Sequence, residues 1–268
     1  MPSSLRSLAS APPSGAARPL LVDPDAYATA VLRQGAPIPW GDLAALTGHA
    51  GQVHSLLDPD AVWVDVEALL RARLATEPAA VAAMRERSRT GYALRSLLGD
   101  KSGADLVRTA VRTLSDATRR PAVLAVPSPA RWLGRAHALA GTPLTDVDED
   151  HADSASMYIA EWLGKLGSLP VALVLLDATA AGDDPATTVT ETLGAYTSLT
   201  NVVSHFEWAI ALRDGDAVDV PAGEPEIAVV PTAYWTKDTE PPAADVLLTA
   251  IPPTATPEDV LDRRARLR

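Results

Sequence analysis

Short apolar runs recur along the chain, each closed by a small cluster of polar or kinked residues. They are AVWVD (61–65), PAVLAVPSP (121–129), LPVALVLLDATAAG (169–182), EWAIALRD (207–214), EIAVVPTAYW (226–235) and DVLLTAIPP (245–253). Continuous apolar stretches rich in Val, Ile and Leu suit strands covered on both faces, because a half-exposed strand would alternate with polar residues. Stretches with helical spacing lie between several of the runs. A parallel sheet in an α/β architecture follows. In such folds ligands sit at the carboxyl ends of the strands, so the ends of these runs are where a site is expected.

A chain of 268 residues at 47% apolar composition can bury a full core and fits one large α/β domain. Its net charge of -11 argues against nucleic acid or an anionic membrane surface as main partner, since both require basic patches. The sequence has no cysteine. Thiolate zinc sites, iron–sulfur clusters, disulfides and a cysteine nucleophile are thereby excluded. No apolar stretch reaches the roughly 18 residues that span a bilayer. Residues 1–19, rich in Ser, Ala and Pro with no apolar h-region, read as a disordered leader, and 20–268 as a single domain. A cytoplasmic protein from a GC-rich bacterial genome is the expectation, and the assembly is left open, a homodimer included.

Between the runs, DPDAYATAVLRQG reads as a helix capped by Asp23 or Asp25 and stopped at Gly35, and PIPWGDLAALTG as a turn and short helix. Residues 66–120 carry apolar positions at helical spacing and no strand. Ser102 is the expected N-cap of the last helix there, whose Arg119-Arg120 end suits the dipole. ARWLGRAHALAG is a helix stopped by Gly141, and TPLTDVDEDHADS an acidic exposed loop. Beyond it, TETLGAYTSLTNVVSHF reads as a helix. The chain closes on a helix with Thr256 as cap and Pro257 at its first position.

Three segments carry a resemblance to a known superfamily. GADLVRTAVRTLSDATRRPAVLAVPSPARWLGRAHALAG (103–141) reads helix, strand, Pro-containing bend and helix running into Gly. MYIAEWLGKLGSLPVALVLLDATAAG (157–182) reads helix, strand and Asp-small-x-x-Gly bend, and IPPTATPEDVLDRRARLR is a closing turn and helix. Together they resemble the uroporphyrinogen decarboxylases and their barrel relatives, the corrinoid methyltransferases and cobalamin-independent methionine synthases, over a little more than half the chain. The resemblance implies a (β/α)8 TIM-like barrel with its site at the C-terminal mouth. Six strands are clear. The remaining two would come from weak or irregular segments: RPLLV near residue 20, the chain near Ile38, or 197–203.

The resemblance also implies the site. Asp65, ending AVWVD, matches the acidic residue that contacts substrate pyrrole nitrogens in the decarboxylase; a carboxylate there accepts N–H bonds or stabilises a developing cation. It is the expected catalytic group, and its plain alternative is an Asp capping the helix that begins at Val66. Asp177 and Thr179 fall in the bend after the third run, where the family's small polar residue is replaced by Ala178. Their alternative is a turn held by the Asp side chain. Ser128, fixed between two prolines, offers a hydroxyl but lacks a nucleophile elbow. Arg135 could bind a carboxylate, Tyr234 could wall a pocket, and His205, at the passage into EWAIALRD, completes the substrate-facing set.

Departures are equally specific. Arg33-Gln34-Gly35 lacks the second Arg of the decarboxylase's N-terminal motif, and the C-terminal His-Gly region has no counterpart. These take the chain away from porphyrinogen decarboxylation. No HExxH or similar spacing is present, and Asp148, Asp150, His151 and Asp153 form a metal set by composition only. The expectation is a metal-independent small-molecule enzyme, a lyase or transferase, with no cofactor. Its alternatives are a catalytically degenerate barrel that binds a ligand or partner subunit, and a corrinoid-linked methyltransferase without thiolate zinc.

Overall fold

The computed structural model describes residues 4–180, 182, 184, 187–237 and 239–267. Chain order runs α1 (Leu5–Ser10), β1 (Leu20–Asp23), α2 (Asp25–Tyr27) continuing into a π turn at Ala28–Leu32, α3 (Leu43–Leu57) and β2 (Val62–Asp65). Four helices follow: α4 (Val66–Thr76), α5 (Pro78–Arg85), α6 (Tyr92–Gly99) and α7 (Lys101–Thr118). Then come β3 (Ala122–Pro127), α8 (Pro129–Leu139), α9 (Glu149–Leu166), β4 (Val171–Asp177) and α10 (Thr197–His205). The last part holds β5 (Ala209–Asp214), β6 (Ala217–Asp219), β7 (Ile227–Val230), β8 (Val246–Ala250) and α11 (Pro257–Leu267).

The strands form two sheets, β1-β8-β7 and β2-β3-β4-β5-β6, parallel throughout except for β6. Gly215, at φ 59°, opens the two-residue β5–β6 loop, which can only return the chain antiparallel; a parallel crossover needs about a dozen residues. The sheet edges lie side by side, β1 by β2 and β6 by β7. What is seen is a mixed α/β chain with parallel-dominated sheets of five and three strands, not one ladder closed through eight.

Side-chain alternation divides the strands into two faces. Leu21, Ala61, Val123, Leu173, Leu175, Ala209, Ala211, Ile227, Val229, Val246 and Leu248 make one apolar cluster fed by both sheets. Residues of the opposite parity, such as Val64, Leu124, Val174 and Ile210, pack outward under α3, α4, α7, α8 and α9. Both faces are covered, which is why the runs read as unbroken apolar sequence.

Several expectations change. The leader is helical over Leu5–Ser10: Ser4 caps it, accepting from Ser7 N–H, and Leu5 and Leu8 are buried in the cluster shared by the sheets. Burying that i, i+3 apolar pair orders a segment whose composition alone suggests disorder. Of the candidate weak strands, the segment near residue 20 is β1, while 197–203 lies in α10 and Ile38 in a loop. Asp100, not Ser102, caps α7 by accepting from Gly103 N–H. The acidic loop is already helical from Glu149, because Asp148 accepts from His151 N–H and acidic residues favour a first turn. The helix expected from Thr190 begins only at Thr197. Of the loop expected from Thr179 to Thr190, residues 181, 183, 185 and 186 lie outside the described residues.

Candidate functional site

Of the parallel strands, three end in aspartate, LLVD, VWVD and VALVLLD, and a fourth in Arg213-Asp214. Leu21, Trp63, Leu175 and Ala211 point to the interior shared by the sheets, so Asp23, Asp65, Asp177 and Arg213, two residues on, share that face. Register sets Asp177 opposite Pro127 and Arg213, while Asp65, opposite Ala125, pairs through to Leu175, two residues before Asp177 on the same face. Asp25 follows β1 directly, in the first turn of α2. The four aspartates and Arg213 are half-buried, each still reached by solvent.

Each strand-end carboxylate also fastens its own turn. Asp65 Oδ1 accepts from Ala68 N–H at 2.8 Å, Asp177 Oδ1 from Thr179 N–H at 2.9 Å, and Asp23 Oδ1 from Asp25 N–H at 3.1 Å. The capping and turn readings of Asp65 and Asp177 therefore hold, and the shared inward face is a second property of the same residues. Desolvation pushes the Asp65 carboxyl up to about 6; Glu67 and Asp23 add to the rise, while the Ala68 amide and Arg135 oppose it. Asp25 is pushed up to about 8 by desolvation first, then by Asp23 and Asp65. Asp23 also lies above the carboxylate range through burial, with the Asp25 amide and Arg213 pulling down and Asp177 pushing up. Asp23, Asp25 and Asp65 thus act on one another through their charges.

The other expected residues are placed differently. Arg135 grips Asp184 through two bonds of 2.6 and 2.8 Å and Glu67 through a third of 2.9 Å. Asp184 first, and Glu67 with it, raise the guanidinium above its ordinary value. With its donors so engaged, Arg135 organises the rim instead of offering a free cation. Ser128 is fully buried, and its hydroxyl donates to Glu191 Oε1 at 2.5 Å; Glu191 Oε2 accepts from Ala130 N–H and the Tyr196 hydroxyl. It anchors Glu191 at the start of α8, which corrects its expected contact with substrate. Thr179 Oγ1 accepts from Gly215 N–H, tying the end of β4 to the β5–β6 turn.

Tyr234 does not line the mouth. It is buried with Trp235 beneath α11, its hydroxyl donating to the Arg263 carbonyl at 2.9 Å, because a Tyr-Trp pair after β7 fills the space between sheet and helix. His205 ends α10, ahead of β5, and lies exposed against Phe206 at the opposite end of the strands from the aspartates. The helix preceding a strand delivers its last residue to that strand's amino end, so His205 belongs to a different face.

Asp23, Asp25 and Arg213 are the site residues that the sequence reading passed over. The signal was present, since RPLLVD closes on Asp just as AVWVD does. Among the described residues, no three His, Asp or Glu side chains converge as a metal site. His151 instead pairs with Asp148 on the exposed first turn of α9. Chemically, the arrangement offers carboxyl groups with proton affinities spread across neutral pH and one guanidinium at the same level. Comparison of the chain with family models, curated proteins and solved structures found no match.

Proposed function

We propose that this chain is a small-molecule enzyme on a decarboxylase-like α/β barrel, with metal-independent lyase or transferase chemistry at the carboxyl ends of the strands. In this reading β1 to β8 are the staves of one barrel whose ladder lapses at two seams. The single apolar interior fed by both sheets and the adjacency of their edges support it. The observation that carries the functional reading is Asp65: inward-facing at a strand end, half-buried, and desolvated to about 6 among other carboxylates.

A carboxyl group near 6 is mostly ionised at pH 7 yet close enough to exchange protons readily, which suits a general base. Asp25, near 8, keeps its proton at that pH and can donate it. Two carboxyls driven apart by environment divide the acid and base roles. Asp177 holds the β4 bend, and Arg213 brings a positive charge to the level where an anionic portion of a substrate would lie. A second reading, a ligand-binding or partner subunit without chemistry, draws on the engagement of Ser128 and Arg135 in internal bonds.

Purified protein incubated with a metabolite extract and followed by mass spectrometry tests the assignment. Conversion by the natural chain and a loss of about 100-fold or more in Asp65→Asn are expected, the size of general acid–base catalysis. Undiminished conversion by a folded Asp65→Asn overturns it. A metabolite retained unchanged by both proteins favours the second reading.

A further inference from the structure

In a chain of net charge -11, residues 85–95 carry Arg85, Arg87, Arg89 and Arg95 against a single acid, Glu86. All four arginines are exposed, and among the described residues none makes an ion pair. Glu86 accepts the Tyr92 hydroxyl at 2.9 Å, and the Arg87 guanidinium lies over that ring, 5.5 Å from its centre. The turn is held from beneath. Gly91, at φ 86°, donates its N–H to Nε2 of the fully buried His137 at 3.0 Å, so that Nδ1–H of the ring donates to Thr142. Charges displayed on an anchored turn lose little freedom on binding. Beside them Leu74, Pro78, Val81 and Ala82 wall an open apolar groove of about 520 Å³ that reaches Arg85.

A surface of opposite sign lies on the same chain. Asp146, Asp148, Glu149, Asp150 and Asp153 are exposed around the start of α9, with His151 the one base among them. His151 pairs with Asp148 at 2.9 Å, and among the described residues the other four make no ion pair. Asp150, Asp153 and Met157 share one face of α9, and Met157 is 50% exposed. The two patches adjoin. A side chain on Gly91 would meet the ring of Tyr158, the residue after Met157, at 3.1 Å, and the Arg85 guanidinium lies 3.9 Å from where a side chain on Gly141 would start. Arg95 acts on Glu161 of α9, which pairs with Lys165 at 2.8 Å.

We propose that the chain pairs with a second copy of itself through this face, the 85–95 turn of each protomer resting on the 146–153 segment of the other. A two-fold axis between the patches reverses their order in the second copy, so each meets its opposite and the assembly closes at two. An acidic protein, a nucleic acid or an anionic membrane would satisfy the arginines but face like charge at the start of α9. A basic partner would meet the reverse conflict. Both patches are answered only by a surface that carries both signs side by side, and this chain presents one. The groove and Met157 give each side some apolar surface to bury as well.

Sedimentation of the full chain at low and high salt, with two charge-reversed variants, tests the proposal. A dimer is expected in about 0.02 M salt, its dissociation constant rising about tenfold or more in about 0.5 M, because exposed charges are screened. Arg87→Glu with Arg89→Glu should be monomeric, and so should Asp150→Lys with Asp153→Lys. Mixing the two variants should restore a dimer: the reversed turn of one meets the reversed helix start of the other, and the two natural patches still meet. A monomeric natural chain in low salt, species larger than a dimer, or a dimer indifferent to both reversals overturns the proposal. Two monomeric variants that stay apart when mixed overturn it too. Should the α9 variant fail to fold, a dimer unaffected by Arg87→Glu with Arg89→Glu is enough to overturn it.

Discussion

The two ends of the same strands are built on opposite principles. At the amino end Leu5 and Leu8 of α1 join Ala61, Val123 and Val246 in an apolar plug. At the carboxyl end, a few residues along the same inward face, Asp23 feels Arg213 and Asp177, Asp177 lies opposite Arg213, and Asp23, Asp25 and Asp65 act on one another. The plug gains stability by removing apolar surface from water. The carboxylates give some of it up, because their charged forms are desolvated beside like charges. A molecule that keeps such an arrangement at one end only has separated its apolar anchoring from its buried charge.

That separation can be broken experimentally. Leu8→Ala should have the largest effect, a loss of about 3 kcal/mol in unfolding free energy by denaturant titration, since the side chain is fully buried. It should leave the pH dependence of stability unaltered; a changed pH profile would mean that plug and mouth are coupled. Arg135→Ala comes next. It removes the guanidinium bonds to Glu67 and Asp184, and a loss of about 2 kcal/mol is expected, reduced from the full cost of breaking a buried pair because the arginine is partly solvated. Asp65 should titrate higher in that variant, because Arg135 lowers it in the natural chain. Carbon-detected NMR of the carboxyl groups measures this, and an Asp65 titration that stays in place would detach Arg135 from the mouth.

The parallel-dominated α/β character was legible because both faces of the sheets are covered, and the apolar runs state that directly; the closed eight-stranded ladder was not, since the strands divide into sheets of five and three. Asp65 and Asp177 could be found at run ends for the same reason. Asp23 was missed because it was read as a cap of the helix that follows, although RPLLVD closes as the other runs do. β6, Ala217–Asp219, was invisible: an exposed three-residue edge in Asp-Gly-Asp-Ala-Val-Asp carries no apolar run at all. Tyr234 misled because an aromatic at a strand end suits a pocket wall and a core filler equally. Only the position of α11 decides between them. Ser128 and Arg135 bind Glu191 and Asp184, which lie more than forty residues away, where sequence spacing says nothing about pairing.

The smallest effect isolates the mouth by pH. Asp25 and Asp65 have folded pKa values above their ordinary ones, so the folded chain holds more protons than the unfolded chain between about 4 and their folded values. Their contribution to stability is complete in acid and is lost as pH rises through about 6 for Asp65 and about 8 for Asp25. His49, His54 and His137 are shifted downward by burial and act in the opposite sense, their contribution being lost as pH falls below about 6.5. The two effects overlap and partly cancel below that value. Between pH 6.5 and 8 the slope that His49, His54 and His137 contribute fades, and it is common to the natural chain and Asp25→Asn, so the difference between those two proteins isolates Asp25. Over that window the natural chain should lose on the order of 1 kcal/mol more than Asp25→Asn, whose side chain keeps the shape without the proton. Parallel curves for the two proteins would show that Asp25 ionises as freely as an exposed aspartate, and the contrast between the two ends would then rest on Asp23 and Asp65 alone.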